Sequence, residues 1–422
     1  MIVLDPTCRG GAGRSAPLFA GDGASCAPPP PGSAAMKDAA GESAPRGSAA
    51  APALSARAPR LAVVVPSLHL GGAERVACAL ARKWQQAGNE VSLVTYFPTS
   101  VDRLSPPPGV GRIALVEAGK SRNVVEGVIQ ATRRVLAVRR AFARLRPDVV
   151  ISFLERTNVV ALLAAMGSGV PVFVCERTDP RRQHIEPHWS VLRRFVYPRA
   201  AGVVVQTESV ARWARAFCSR VYVIPNFVEC PARPADPGSD TGPLTLVALG
   251  RLSAEKGFDT LVRAFARVAG SHPRWSLVIF GEGPERDRLA ALATQLGVSG
   301  RVSLPGRTDH PEVELAAAHA FALPSRFEGF PNALLEAMAC GLPAVAFDCR
   351  SGPRDIIVDG ENGILVADGD ADAFSAALAR VMTSAPERRR LGRNARQSMD
   401  RFAPRPILDR WSALLRAGLE RR

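Results

Sequence analysis

No apolar run in this 422-residue sequence approaches the roughly 20 residues that a membrane-spanning helix needs, which excludes a bundle of such helices. The eight cysteines (Cys8, Cys26, Cys78, Cys175, Cys218, Cys230, Cys340 and Cys349) form no C-x-x-C pair, which argues against a cysteine metal site. Several lie inside apolar segments and read as reduced cytosolic thiols rather than a disulfide framework. Acidic residues are in deficit: 39 Asp and Glu against 54 Lys and Arg give a net charge of +15. Such a balance speaks to partners and not to fold. It fits nucleic acid, an anionic membrane surface or acidic small molecules, and the arginine excess also fits a genome rich in G and C. Residues 1–58 have almost no aromatics and consist mainly of Ala, Gly, Pro and Ser, with prolines from Pro28 to Pro31. They cannot bury enough apolar area to offset their ordering entropy, so a disordered segment without function is expected. The segment lacks the apolar core of a signal peptide. Met36, followed by Lys37 and Asp38, offers an alternative start.

From Arg60 onward the pattern changes to short apolar runs alternating with helical periodicity. The apolar share of 47% and the length suit two α/β domains. Leu61–Pro66 reads as a buried strand, followed by a loop with Gly71, Gly72 and Glu74 and a helix to about Gln86. Two glycines between a strand and a helix let the backbone approach a ligand closely. His69, just before them, reads as a partly buried structural residue. Strands follow at Val91–Phe97 and Ile113–Val116. A helix over Val124–Leu145 carries Val128, Leu136 or Val135, Val138, Phe142 and Leu145 at helical spacing. Arg133, Arg134, Arg139, Arg140, Arg144 and Arg146 take its other positions, which suits lipid head groups or an ordinary solvated face. Strand Asp148–Leu154 ends at Glu155, Arg156, Thr157 and Asn158. Strand Val170–Cys175 ends at Glu176 and Arg177. Both ends fall on one carboxyl edge, so these residues should line a cleft. Strands Ala201–Gln206 and Val221–Ile224 complete a first domain, residues 59–226. A Pro-, Asp- and Gly-rich stretch, 227–242, reads as a linker.

The second domain, 243–402, opens with strand Leu244–Leu249 and a loop carrying two cations, Arg251 and Lys256, before a helix from Asp259. Strand Ser276–Phe280 leads into Gly281-Glu282-Gly283, and strand Val302–Leu304 into Gly306-Arg307. The stretch Pro324–Asp355 reads as a β-α-β unit. Apolar Ala320–Leu323 precedes it, Asn332–Cys340 forms its helix with Pro331 in the first turn, and Ala344–Phe347 is its second strand. Glu328 falls at the carboxyl end of a strand, where open α/β sheets bind ligands. The backbone N–H groups of Gly329, Phe330, Pro331's neighbours and Asn332 suit an anion, and Glu336 can accept hydrogen bonds from a ribose diol. Asp370 and Asp372 sit at a helix start, where a capping role outweighs a metal site. Residues 403–422 read as a final amphipathic helix.

Glu328 and Glu336, within EGFPNALLEAMACGLPAVA, reproduce the E-x7-E signature, and the chain resembles the retaining glycosyltransferases of family 4. GGAERVACALA, GRLSAEKGFD and FGEGPER match further motifs of that family in the same order, while SFLERTN and CERTDP resemble the branch that builds lipid-linked saccharides. The resemblance spans residues 60–402. It implies a GT-B fold: two Rossmann-like doubly wound domains facing each other across a cleft, with the last helix crossing back to the first domain. It implies a hexosyltransferase in polysaccharide or glycan assembly, with a nucleotide-sugar donor (UDP-linked, with GDP-mannose as the variant). The implied acceptor is a polyprenyl-diphosphate saccharide at the inner face of the cytoplasmic membrane. No metal and no nucleic acid are implied. By the same resemblance Glu328, Arg251 and Lys256 are the catalytic group. Gly71, Gly72, Gly329, Phe330, Pro331, Asn332, Glu336 and Arg307 hold the donor, and Glu74, Glu155, Arg156 and Arg177 face the acceptor. Many relatives place a catalytic-aid histidine near the end of the strand before Glu155. This sequence has Glu155 and Arg156 there, so the role is assigned to no residue. Two rival expectations are a GT-B nucleotide-sugar epimerase and a non-catalytic basic protein binding membrane or nucleic acid.

Overall fold

Seven parallel strands, then six, account for both halves of the alternation. The computed structural model describes residues 58–69, 71–116, 124–182 and 185–421, and the segment 1–57 expected to be disordered lies outside them. The first domain runs β1 (Arg60–Val64), α1 (Gly72–Gln86), β2 (Glu90–Thr95), β3 (Gly111–Ala114), α2 (Val124–Leu145) and β4 (Val149–Phe153). It continues with α3 (Glu155–Ala165), β5 (Val172–Cys175), α4 (Pro187–Val196), β6 (Gly202–Val205), α5 (Glu208–Arg215) and β7 (Val221–Val223). The second begins β8 (Leu244–Leu249), α6 (Phe258–Ala269), β9 (Trp275–Phe280), α7 (Arg286–Gln295), β10 (Val302–Gly306), α8 (Pro311–Ala316) and β11 (Ala320–Leu323). It closes with α9 (Asn332–Ala339), β12 (Ala344–Asp348), α10 (Pro353–Ile356), β13 (Ile364–Ala367), α11 (Ala371–Thr383) and α12 (Ala385–Ser398). A last helix, α13 (Pro404–Leu419), ends the chain's described part.

The strand orders are β3-β2-β1-β4-β5-β6-β7 and β10-β9-β8-β11-β12-β13. Each sheet therefore reverses direction once, between β1 and β4 and between β8 and β11. Crossovers leave the two sides of such a point in opposite directions and open a crevice at the carboxyl ends of the central strands. The loops after β1, β8 and β11 carry Gly71, Lys256 and Glu328, and Glu155 opens the helix that follows β4. The central strands are mostly apolar, since both faces of a parallel sheet are covered there, while edge strands such as β3 and β10 are partly exposed. Val149–Phe153 and Ala320–Leu323, for example, are buried at every position.

Helix α13 does not lie on its own domain's sheet. Ile407, Trp411, Leu414 and Leu415 join the core formed by β1, α1 and β4, and the Trp411 ring meets Trp84 edge-on at 5.4 Å. Residues 227–242 carry no regular element, and Arg388, fully buried in α12, holds them by donating to the carbonyls of Pro237 and Ser239.

Some expectations need correction. In α2, Val138 and Phe142 are buried, with Ala137 and Ala141, and Val135 and Leu145 pack on the same core; Leu136, the alternative to Val135, is exposed, and so is Val128. At about 1.5 Å per residue this helix outruns strands of four to six residues, so only its C-terminal half covers the sheet. His69 is exposed, because the neighbouring Leu68 takes the buried place. Glu155 to Asn158, expected at the strand's end, form the first turn of α3. Pro331 stands at the N-cap of α9 rather than within its first turn. Asp370 does cap α11, accepting from the Ala373 backbone N–H at 2.9 Å. Among the described residues no group of three or more His, Cys, Asp or Glu could hold a metal ion, and no helix is long and apolar enough to cross a membrane.

Candidate active site

The loops after β8 and β11 are fastened to each other before they hold anything else. Gly257 has φ +65°, and a Cβ there would stand 2.1 Å from the Pro324 carbonyl oxygen, so a residue without a side chain is needed for both reasons. The Arg326 backbone N–H donates to the Glu255 carbonyl at 2.9 Å, and its guanidinium donates to both carboxylate oxygens of Asp259 at 2.9 Å. This stitching brings Lys256 onto Glu328, with Nζ to Oε1 at 2.6 Å. The Ser325 hydroxyl donates to the same oxygen at 2.7 Å. Glu328 is buried and Lys256 is only a quarter exposed, so the pair forms the floor of the crevice. Arg251 lies exposed on the same loop, close enough to help hold Glu255 below the ordinary carboxylate range.

Gly329 follows Glu328 and touches the first domain. Its Cβ would stand 2.3 Å from the Arg177 carbonyl oxygen. Phe330 is buried against Phe402, and Pro331 leads into α9. Asn332, the first residue of that helix, accepts a hydrogen bond from Asn226 of the first domain. Glu336, one turn on, has its carboxyl pushed up by burial, with the Arg75 cation of α1 opposing that shift. Arg307 donates to Asp309, which its charge holds below the carboxylate range, and Arg75 adds to this effect. The charge of Arg75 thus acts on both Glu336 and Asp309.

On the first domain, Gly71 is the N-cap of α1, and Gly72 approaches Asn332: a Cβ there would lie 3.6 Å from its side-chain nitrogen. Glu74 folds its carboxylate back against Gly71, and burial raises its pKa. Arg177 donates to Asn226 Oδ1 at 2.8 Å, and its guanidinium lies 4.7 Å from the centre of the Phe153 ring. Arg156 is not part of this cluster. Arg156 pairs with Glu186 at 2.6 Å, beside the start of α4, and both are half exposed. Thus Glu328, Lys256, Gly329, Asn332, Gly72 and Arg177 come together, Arg156 turns away, and Arg251 borders the group.

Sequence reasoning passed over Arg75, Asn226, Thr207, Ser325 and Ser351. The Thr207 and Ser351 hydroxyls meet at 3.1 Å across the domains, and Ser351 donates to the Gly329 carbonyl at 3.1 Å. Only Asn226 had a visible signal, since it falls at the end of a strand just before the linker.

The arrangement is that of a two-domain sugar transferase, and comparison with known proteins agrees. The family profile "Glycosyltransferase Family 4" matches residues 70–230, and "Glycosyl transferases group 1" matches residues 231–398. A lipopolysaccharide 1,6-galactosyltransferase of Salmonella typhimurium is 35% identical over 319 residues, covering 74% of this chain and 86% of that one. The chain belongs to the family 4 glycosyltransferases. An N-acetylgalactosamine-N,N'-diacetylbacillosaminyl-diphospho-undecaprenol 4-alpha-N-acetylgalactosaminyltransferase of Campylobacter jejuni is 28% identical, over 72% of this chain and 85% of its own. An exopolysaccharide phosphotransferase of Streptomyces coelicolor is 37% identical over 230 residues, 53% of this chain, and the match spans only 24% of that longer protein. Among solved structures, Anabaena HepE in complex with UDP and glucose superposes with a TM-score of 0.71 at 18% identity, over 85% of this chain and all of that one. Sucrose-phosphate synthase of Thermosynechococcus elongatus superposes with a TM-score of 0.74 at 21% identity, over 85% of this chain and 98% of that one, and the chain has the GT-B fold.

Proposed function

We propose that this chain is a retaining glycosyltransferase that moves a hexose or N-acetylhexosamine from a UDP-sugar to a lipid-linked saccharide in polysaccharide or glycan assembly. The observation that carries this reading is the Lys256–Glu328 pair at the ends of β8 and β11, with Gly72 of the other domain approaching Asn332 four residues beyond Glu328. Cleaving the bond between sugar and diphosphate leaves negative charge on the nucleotide. Lys256, Arg251 and the first-turn amides of α9 are fixed where they would neutralise it without a metal ion. A donor diphosphate would draw Lys256 away from Glu328, freeing that carboxylate to hold the sugar while Glu336 accepts from the ribose. In this reading no side chain is assigned as general base: the departing phosphate takes the acceptor's proton on the same face, which retains the anomeric configuration.

UDP as donor is supported by the UDP found with the structural relative, and a polyprenyl-diphosphate acceptor by the diphospho-undecaprenol in the Campylobacter enzyme's name. Contact with an anionic membrane at its inner, cytoplasmic face follows from the first domain's surface. There Arg133, Arg139, Arg140 and Arg144 of α2 are exposed, and so are Val191, Leu192 and Phe195 of α4.

The test is donor consumption by purified protein with UDP- and GDP-sugars and a membrane lipid fraction. Wild type should pass the sugar to lipid in the presence of a chelator. Glu328→Gln and Lys256→Ala should each lose roughly 100- to 1000-fold in kcat. If no donor is consumed, or the variants match wild type, the proposal fails. A product without an acceptor would instead favour an epimerase.

A further inference from the structure

Contacts from the first domain converge on one short segment of the second, Glu328 to Asn332. Gly329 rests on the Arg177 carbonyl, the Gly329 carbonyl takes the Ser351 hydroxyl that Thr207 meets, and Asn332 reaches both Asn226 and Gly72. One polar chain runs through this junction. The Arg177 guanidinium, stacked over Phe153, donates to Asn226 Oδ1, and Asn226 Nδ2 donates to Asn332 Oδ1. Asn226 is 4% exposed, so water cannot stand in for either partner. An amide presents an acceptor and a donor on one carbon, and each here has a single matching neighbour. Aspartate could still accept from Arg177 but, ionised, could not donate to Asn332. The Arg177 Nε and Nη2 are buried without an oxygen or nitrogen partner. Burying a cation with unmet donors is costly, and the hydrogen bond to Asn226 and the stacking on Phe153 offset part of that cost.

We infer that Asn226 is a positioning residue for transfer, with Arg177 as its anchor. It sits where the chain leaves the first domain for the linker, and it touches the first residue of α9, four positions beyond Glu328. It therefore sets where Glu328 and the α9 N-terminus stand relative to the first domain, and so relative to an acceptor bound there. Arg177 then serves the donor segment from behind and does not contact acceptor. This inference rests on the function proposed above.

The experiment uses the full chain with Asn226→Ala, Asn226→Asp, Asn332→Ala and the double alanine variant. UDP affinity by calorimetry should stay within about twofold of wild type in the two Asn226 variants, because the second domain binds the nucleotide and Asn226 belongs to the first. The kcat should fall roughly 10- to 100-fold in each single variant, the range expected when a reacting group is displaced by about 1 Å. The double variant should be no worse than the singles, since both remove one interaction. Asn226→Asp separates positioning from plain stability: it keeps the Arg177 contact and the melting temperature, yet should not regain kcat. Amide exchange of residues 328–340 in the nucleotide-free protein should quicken in Asn226→Ala. A wild-type kcat in Asn226→Ala, recovery in Asn226→Asp, or a loss of UDP affinity matching the loss of kcat overturns the inference. Should wild type itself turn over no donor, the proposed function fails instead, and unchanged exchange in Asn226→Ala alone would then refute the clamp.

Discussion

Replacing Gly329 by alanine adds one methyl group where the two domains meet. Its φ is outside the left-handed region, so the substitution is a question of space alone. The new Cβ would stand 2.3 Å from the Arg177 carbonyl oxygen and 2.9 Å from the Thr178 Cα. Both are backbone atoms at the end of β5 and cannot rotate aside. A carbon–oxygen contact settles near roughly 3.3 Å, so the Glu328 segment must withdraw from the first domain by about 1 Å. Two quantities follow. Overpacking of this kind should cost about 1–3 kcal/mol of stability, measured by denaturant unfolding. A 1 Å misplacement of a positioned carboxylate should lower kcat by roughly 100-fold, measured as steady-state transfer from UDP-sugar. Gly270→Ala is the matched control: a Cβ there meets nothing within 4 Å, and its φ of −60° suits any residue. That variant should stay within about 0.5 kcal/mol and keep its kcat. A Gly329→Ala enzyme with wild-type turnover would mean that the domains are not held this closely while the enzyme works, and the reasoning about the junction would be wrong.

Two further outcomes are expected. Glu176 is buried beside Arg193, accepts from the Tyr197 hydroxyl at 2.6 Å, and is pushed up to about 7 by burial, with Glu155 adding to the rise and Arg193 opposing it. A carboxyl raised in the folded state favours folding fully below its unfolded value near 4.5, and that contribution is lost as pH rises through 7. Wild type should therefore lose about 3 kcal/mol relative to Glu176→Gln between pH 4.5 and 7.5, as followed by urea unfolding. Parallel curves for the two proteins would dismiss the buried neutral acid. Trp411→Ala should cost about 3–5 kcal/mol by the same assay, since the ring is 1% exposed and fills the space beside Trp84. A change below about 1 kcal/mol would show that α13 contributes little to the first domain's core.

Much of this architecture could be read from the chain alone, for a physical reason. Parallel strands are apolar on both faces, so Val149–Phe153 and Ala320–Leu323 stand out as runs, and helices between them are delimited by Gly and Pro. Helix α2 was legible to the residue because it is long, whereas its inward face was not, because periodicity cannot tell how far a helix extends past its sheet. Glu328 and Lys256 were visible as charges at strand ends within motifs. Their direct pairing was not, because it depends on Arg326, Asp259 and Gly257 joining loops about 70 residues apart in sequence, on the order of a whole supersecondary unit. Arg156 shows the opposite failure: its position at a strand end suggested the crevice, but the first turn of α3 rotates it toward Glu186. Asn226 read as a boundary marker because a linker's start looks the same whether or not its side chain bridges the domains.

The placement of α13 also bears on how the chain is made. The face of β1, β4 and β5 that Trp411 and Leu415 cover is complete in sequence once Ile224 has been synthesised. The covering helix begins only at Pro404, after the entire second domain. At about 5–20 residues per second, translation leaves that apolar face open for on the order of 10–40 s. The nascent first domain therefore shows that apolar face to solvent throughout this interval. A ribosome stalled or a transcript ended before Pro404 yields not one good domain and one missing, but a first domain with an unsealed core.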